Sequence, residues 1–177
     1  MKKAITAALI GGALIGLGLT ACAPLPTNGA MATRAATAPA SATIAPAGSA
    51  VRDGKFEFRV LRVERAKTVN DPTGNPYMTT TAQGEFVVIT MSVANIGDQP
   101  QNYFGDNQKV IDATGREYGA KTEANMWMNT STSPLGAINP GNSIRVKAAF
   151  DVPPGTQPTV LELHDSMFSG GVSVRLA

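Results

Sequence analysis

The stretch GEFVVITMSVANIGD, residues 84–98, is apolar on both faces for most of its length and then breaks off. Successive side chains of a strand point to opposite faces, so a half-buried strand alternates apolar with polar residues. A strand with no polar face is covered on both sides and belongs in the middle of a sheet. Asn95-Ile96-Gly97-Asp98 supplies the turn chemistry that ends it.

Working upstream, GKFEFRV (54–60) places Phe56, Phe58 and Val60 on one face against Lys55, Glu57 and Arg59 on the other. That period of two is the signature of a half-buried strand. Leu61 and Val63 continue the apolar series with shifted parity, which predicts a bulge near Val60-Leu61. Downstream, Lys109–Asp112 and Arg116–Tyr118 flank Ala113-Thr114-Gly115, a hairpin with glycine where φ turns positive.

Asn139-Pro140-Gly141-Asn142 forms another turn, after which SIRVKAAFDV (143–152) alternates strictly, with Ile144, Val146, Ala148, Phe150 and Val152 inward. Pro153-Pro154-Gly155 stops it, and Thr159–Leu163 and Val172–Leu176 supply the last strands. Two long loops are expected, Thr68–Gln83 and Lys121–Ala137, and no amphipathic helix. Short strands separated by turn signals predict an all-β sandwich over residues 51–177. About two-thirds of the unfolded surface of a chain this long is buried on folding, so its core suffices without staples.

Three stretches together, AQGEFVVITMSVANIGDQPQNY (82–103), KVIDATGREY (109–118) and INPGNSIRVKAAFDVPPG (138–155), resemble the telokin-like, immunoglobulin-like family named domain of unknown function 4352. The opening GKFEFRVLRVERA extends the resemblance over nearly all of residues 54–165. It implies an extracytoplasmic immunoglobulin-like β-sandwich of the kind found in secreted proteins and lipoproteins of Gram-positive bacteria, actinobacteria especially. It brings no catalytic motif and no cofactor.

The N-terminus supplies a location. Lys2 and Lys3 precede an apolar run from Ala4 to Leu19 that is shorter than the roughly 20 residues of a membrane-spanning helix. The pattern is that of a secretory signal. Its end, Leu19-Thr20-Ala21-Cys22, resembles the lipobox of bacterial lipoproteins, in which the cysteine is acylated and the chain cut before it, here between Ala21 and Cys22. Residues 1–21 are therefore read as a lipoprotein signal peptide, with anchoring to the cell membrane through lipid on Cys22. Stable anchoring takes two or more acyl chains, which a diacylated cysteine provides. Cys22 is the sole cysteine, so no intrachain disulfide forms.

Residues 23–50 are almost wholly Ala, Pro, Thr, Ser and Gly, with Arg34 the one charge. Too little apolar surface is present to offset chain entropy, so 22–50 is expected to be the lipidated cysteine and a disordered tether. As a coil its reach is roughly 30 Å. Removal of the signal takes away Lys2 and Lys3 and leaves 13 basic against 13 acidic residues. That balance points to no nucleic-acid partner and no polybasic membrane patch.

Candidate chemistry is sparse. His164 is the lone histidine and lies beside Asp165, but no nucleophile motif accompanies it, and a non-enzymatic chain is expected. Met126, Met128, His164 and Met167 are ligand types that suit Cu(I), the alternative reading being a soft-metal lipoprotein; methionine is equally the gap-filler of cores. Asn70-Asp71-Pro72-Thr73-Gly74-Asn75 offers one carboxylate to a calcium ion and reads better as a turn. Tyr77 and Trp127 are candidate aromatic contacts for a partner, with core packing the competing role for Trp127. The resulting expectation is a binding or interaction module whose partner is an envelope protein or cell-wall component.

Overall fold

The computed structural model describes residues 43–132 and 136–176. The expected signal peptide, cleavage site, lipidated Cys22 and tether as far as position 42 lie outside them. Eight strands and one short helix follow in order: β1 (Ala50–Asp53), β2 (Phe56–Asn70), β3 (Thr79–Asn95), β4 (Lys109–Asp112), β5 (Glu117–Gly119), α1 (Thr122–Met128), β6 (Ser143–Val152), β7 (Pro158–Leu163) and β8 (Val172–Arg175). They form two antiparallel four-stranded sheets, ordered β1-β2-β3-β6 and β5-β4-β7-β8, packed as a sandwich.

The doubly apolar stretch takes the predicted place. β3 pairs with β2 on one side and β6 on the other. Val87, Ile89, Met91 and Val93 enter the core between the sheets with Phe56, Phe58, Val110, Phe150, Leu161 and Leu163. Complete burial of each phenylalanine contributes about 1.5–3 kcal/mol. The opposite face of β3 carries Phe86 and Val88, which pack with Val69, Ala82, Ala149 and, from α1, Ala124 and Met128 in a second cluster. The bulge foreseen from the parity shift lies where predicted: Val60 pairs with Met91 and Arg62 with Thr90, leaving Leu61 without a partner position.

Both expected loops need correction. The segment from Lys121 to Ala137 contains α1 and a 3-10 turn at Thr130–Thr132. Its placement has a physical reason, because the second apolar face of β3 must be covered. The other expected loop, Thr68–Gln83, is mostly strand. Thr68, Val69 and Asn70 pair with Thr81, Thr80 and Thr79, so the connection narrows to residues 71–78. Ordered pairing also starts before position 51, since Ala45 forms a parallel bridge with Val174 of β8. Its N–H donates to Ser173 O (2.9 Å) and its carbonyl accepts from Arg175 N (2.9 Å).

Candidate functional site

The strands run between two ends, each bearing a group of loops. At one end β3, β7 and β1 finish while β2, β4, β6 and β8 begin. Four buried carboxamides and two carboxylates organise this end and the adjoining sheet edge. Asn95, 1 % exposed, donates from Nδ2 to the carbonyls of Gln99 and Ile138 (2.7 Å each) and accepts from Gly97 N (2.9 Å). Gln108 accepts from His164 N (2.8 Å) and donates to His164 O (3.1 Å) and Phe104 O (3.2 Å), so a side chain continues the β4–β7 ladder by one step. Asn129 grips the N–H and carbonyl of Lys147 on β6 at 2.8 Å each, and Asn125 Oδ1 accepts from Ala149 N (2.8 Å). Asp53 accepts from Asp165 N (2.7 Å) and Asp165 from Lys55 N (2.9 Å), tying the β1–β2 turn to the segment after β7.

An open cleft of about 150 Å³ lies between the segment before β4 and α1. Tyr103, Phe104, Met126, Ile144 and Val146 supply its apolar walls, and Asn125 donates to Asp106 (3.0 Å) at its rim. Burial first, then the charge of Asp106, pushes the Tyr103 hydroxyl well above its ordinary range. Tyr103 therefore stays protonated, its ring edge-on to Phe56 with centroids 6.1 Å apart.

The four residues considered for a soft metal are not gathered in one place. Met128 is in the cluster beneath α1, Met126 lines the cleft, and His164 and Met167 line a separate hollow with Asp106, Asn107 and Lys109. Among the described residues no group of three or more His, Cys, Asp or Glu is placed to hold a metal. His164 instead lies between Glu162, 2.6 Å from Nε2, and the Ser169 hydroxyl, 3.3 Å from Nδ1. That hydroxyl already donates to Ser166 O (3.0 Å), and a Cβ on Gly171 would strike the imidazole at 2.5 Å. The ring is clamped as a packing element, with Asp165 turned to the β1–β2 turn.

The β2–β3 connection, bonded through Asp71 to Thr130 of the segment after α1, carries Tyr77, 91 % exposed. Asp71 holds this loop in shape: its carboxylate accepts from the hydroxyls of Thr73 and Thr130 and from Asn75 N (3.3 Å). Those contacts, Thr130 foremost and then Thr73, keep its carboxyl below the usual carboxylate range. Asp71 N donates to Met78 O (2.9 Å), and Tyr77 N to Asn75 Oδ1 (3.0 Å). The turn predicted for residues 70–75 is thus present, with its one carboxylate engaged by the protein. Trp127 belongs to neither core cluster; it is half-buried, and its Nε1 is buried with no hydrogen-bond partner.

A family model described as Domain of unknown function (DUF4352) matches residues 45–174, from the Ala45 bridge into β8. The chain belongs to the DUF4352 family. Two solved structures share this DUF4352 chain's sandwich. The yjhA protein of Bacillus subtilis superimposes with a TM-score of 0.54 at 15 % identity, over 76 % of this chain and 100 % of that one. An uncharacterized β-sandwich protein of Clostridium difficile gives 0.51 at 13 % identity, over 77 % and 97 %. Likeness at such identities carries the fold alone. No curated protein matches the chain.

Proposed function

We propose that this DUF4352 chain is a non-enzymatic, lipid-anchored interaction module of the bacterial cell envelope, presenting the β2–β3 tip to an envelope protein or cell-wall component. The observation that carries the reading is Tyr77, almost wholly exposed on a loop whose backbone is held by Asp71 and Asn75. A pre-shaped loop with an exposed aromatic loses little freedom on binding, and tyrosine is among the residues that dominate interface energetics. The anchor rests on Leu19-Thr20-Ala21-Cys22 and the basic and apolar run before it. The strand order supports an immunoglobulin-like assignment, with β2-β3-β6 in the positions of strands A, B and E and β5-β4-β7-β8 in those of C′, C, F and G.

A photo-crosslinking amino acid at position 77, in intact cells, tests the binding face. The expected result is a discrete adduct that is missing when the same probe replaces Arg62 on the sheet surface. Equal labelling from both positions, or none from 77, contradicts the reading.

A further inference from the structure

The β7–β8 connection and the loops beside it expose an unusual amount of apolar surface. Phe168 is 90 % exposed, Met167 72 %, Phe104 60 % and Ile44 40 %. Asp106 borders both the cleft that Phe104 lines and the hollow that Met167 lines, and Phe168 follows Met167 directly. Clustered exposed apolar side chains mark a contact surface, whereas scattered ones need no account.

The path of the chain says what this surface faces. Ala45 is parallel to β8, so the residues before it run back beside the residues before Val174. Thr43 and Ile44 thus leave the fold where β8 begins, at the end formed by Met167 and Phe168. Everything N-terminal, including Cys22, connects to the sandwich at its apolar end. The 21 residue steps from Cys22 to Thr43 span at most about 75 Å.

We propose that this end docks onto the lipid surface that anchors Cys22, with Phe168 and Met167 entering the boundary between headgroups and acyl chains. The proposal rests on the anchoring reading above. A patch this small binds lipid weakly by itself, but the tether holds it at high local concentration, which converts weak contact into occupancy. The nearby charges do not form a basic cluster: Asp53 and Asp165 are bonded to backbone N–H groups and Lys109 to Glu117. Apolar insertion is therefore the driving term, and a neutral phosphatidylcholine surface is enough.

The test uses the chain from Cys22 onward, the form that the proposed processing leaves, carrying Trp127→Phe. That change sacrifices no hydrogen bond, because the indole Nε1 has no partner. Cys22, as the single thiol, is coupled to a maleimide lipid in phosphatidylcholine vesicles, so the outcome is independent of whether cells acylate it. Failure of native acylation is read separately from the mass of the N-terminal peptide. A Phe168→Trp probe is expected to shift to the blue and to lose about half its emission to brominated phosphatidylcholine, as an aromatic at the acyl boundary does. A Tyr77→Trp probe should be unaffected, and adding Met167→Ser should weaken quenching at 168. Equal response at both positions, or none at 168, overturns the proposal. So does a blue shift at 168 that grows with protein concentration and ignores bromolipid, which would make a second copy the occupant.

Discussion

Asn129 of the segment after α1 closes on Lys147 of β6 as a neighbouring strand would, accepting from its N–H and donating to its carbonyl at 2.8 Å each. One turn earlier, Asn125 accepts from Ala149 N. Helical residues four apart and strand residues two apart have nearly the same spacing, about 6–7 Å, so the two asparagines match alternate residues of the edge. An unpaired edge would template association with other chains. Asn129→Ala should destabilise the fold by about 1–3 kcal/mol, the usual cost of leaving buried partners unsatisfied. Urea unfolding checks the stability, and light scattering of the Asn125→Ala/Asn129→Ala pair checks for the self-association that an opened β6 edge predicts.

Gln108 does the same for His164, and it is wholly buried. Gln108→Leu keeps the volume but orphans three backbone groups, His164 N and O and Phe104 O, so a loss of about 1–3 kcal/mol is expected in urea unfolding. His164→Ala should leave that backbone pairing intact and remove only ring packing. Stability loss at 108 without comparable loss at 164 would confirm that the link runs through the carboxamide.

Asp112 is 6 % exposed and accepts from the hydroxyls of Thr114 (2.6 Å) and Tyr118 (3.0 Å), the N–H groups of Thr114 and Arg116, and the Arg116 guanidinium. The Thr114 hydroxyl leads the contacts that hold its carboxyl far below the usual range. Asp71 is lowered as well, chiefly by Thr130. A carboxyl lowered in the folded state stabilises the fold above its unfolded pKa of about 3.9 and loses that contribution as pH falls toward the folded value. Stability should therefore drop below about pH 4. Asp112→Asn should be less stable near neutrality and show a shallower acid dependence, measured as melting temperature from pH 7 to 2.

Two glycines outside the left-handed region make a matched pair. A Cβ on Gly84 would approach the Val152 carbonyl oxygen to 2.1 Å, where β3 and β6 converge and Asp151 receives the Gly84 N–H. A Cβ on Gly170 meets nothing within 4 Å. Gly84→Ala should cost about 1–3 kcal/mol through forced backbone displacement, whereas Gly170→Ala should be near neutral. Thermal unfolding of the two variants decides it.

The strands were legible because alternation survives in short stretches: Phe56 and Phe58, then the shifted Leu61 and Val63, encode both the strand and its bulge. The double apolar face of 86–94 also required a cover, yet α1 escaped notice. It is a seven-residue helix, too short for a clear periodic pattern, although Ala124/Met128 and Asn125/Asn129 repeat at the helical spacing of four. Residues 68–70 and 79–81 escaped for another reason. Their threonines favour strands, but with little apolar alternation they read as loop. The methionines could not be sorted from composition, because a thioether fills a core gap and ligates a soft metal with equal ease. The direction of chain entry at Ala45 depends on a pairing between residues far apart in sequence and has no local signature.

The proposed anchor is tested most directly by the mass of the N-terminal peptide of the protein extracted from membranes of cells that produce it. The account predicts a peptide beginning at Cys22 and heavier by a diacylglyceryl group on sulfur. A peptide that runs uncut through Leu19-Thr20-Ala21-Cys22 with a free thiol would contradict it.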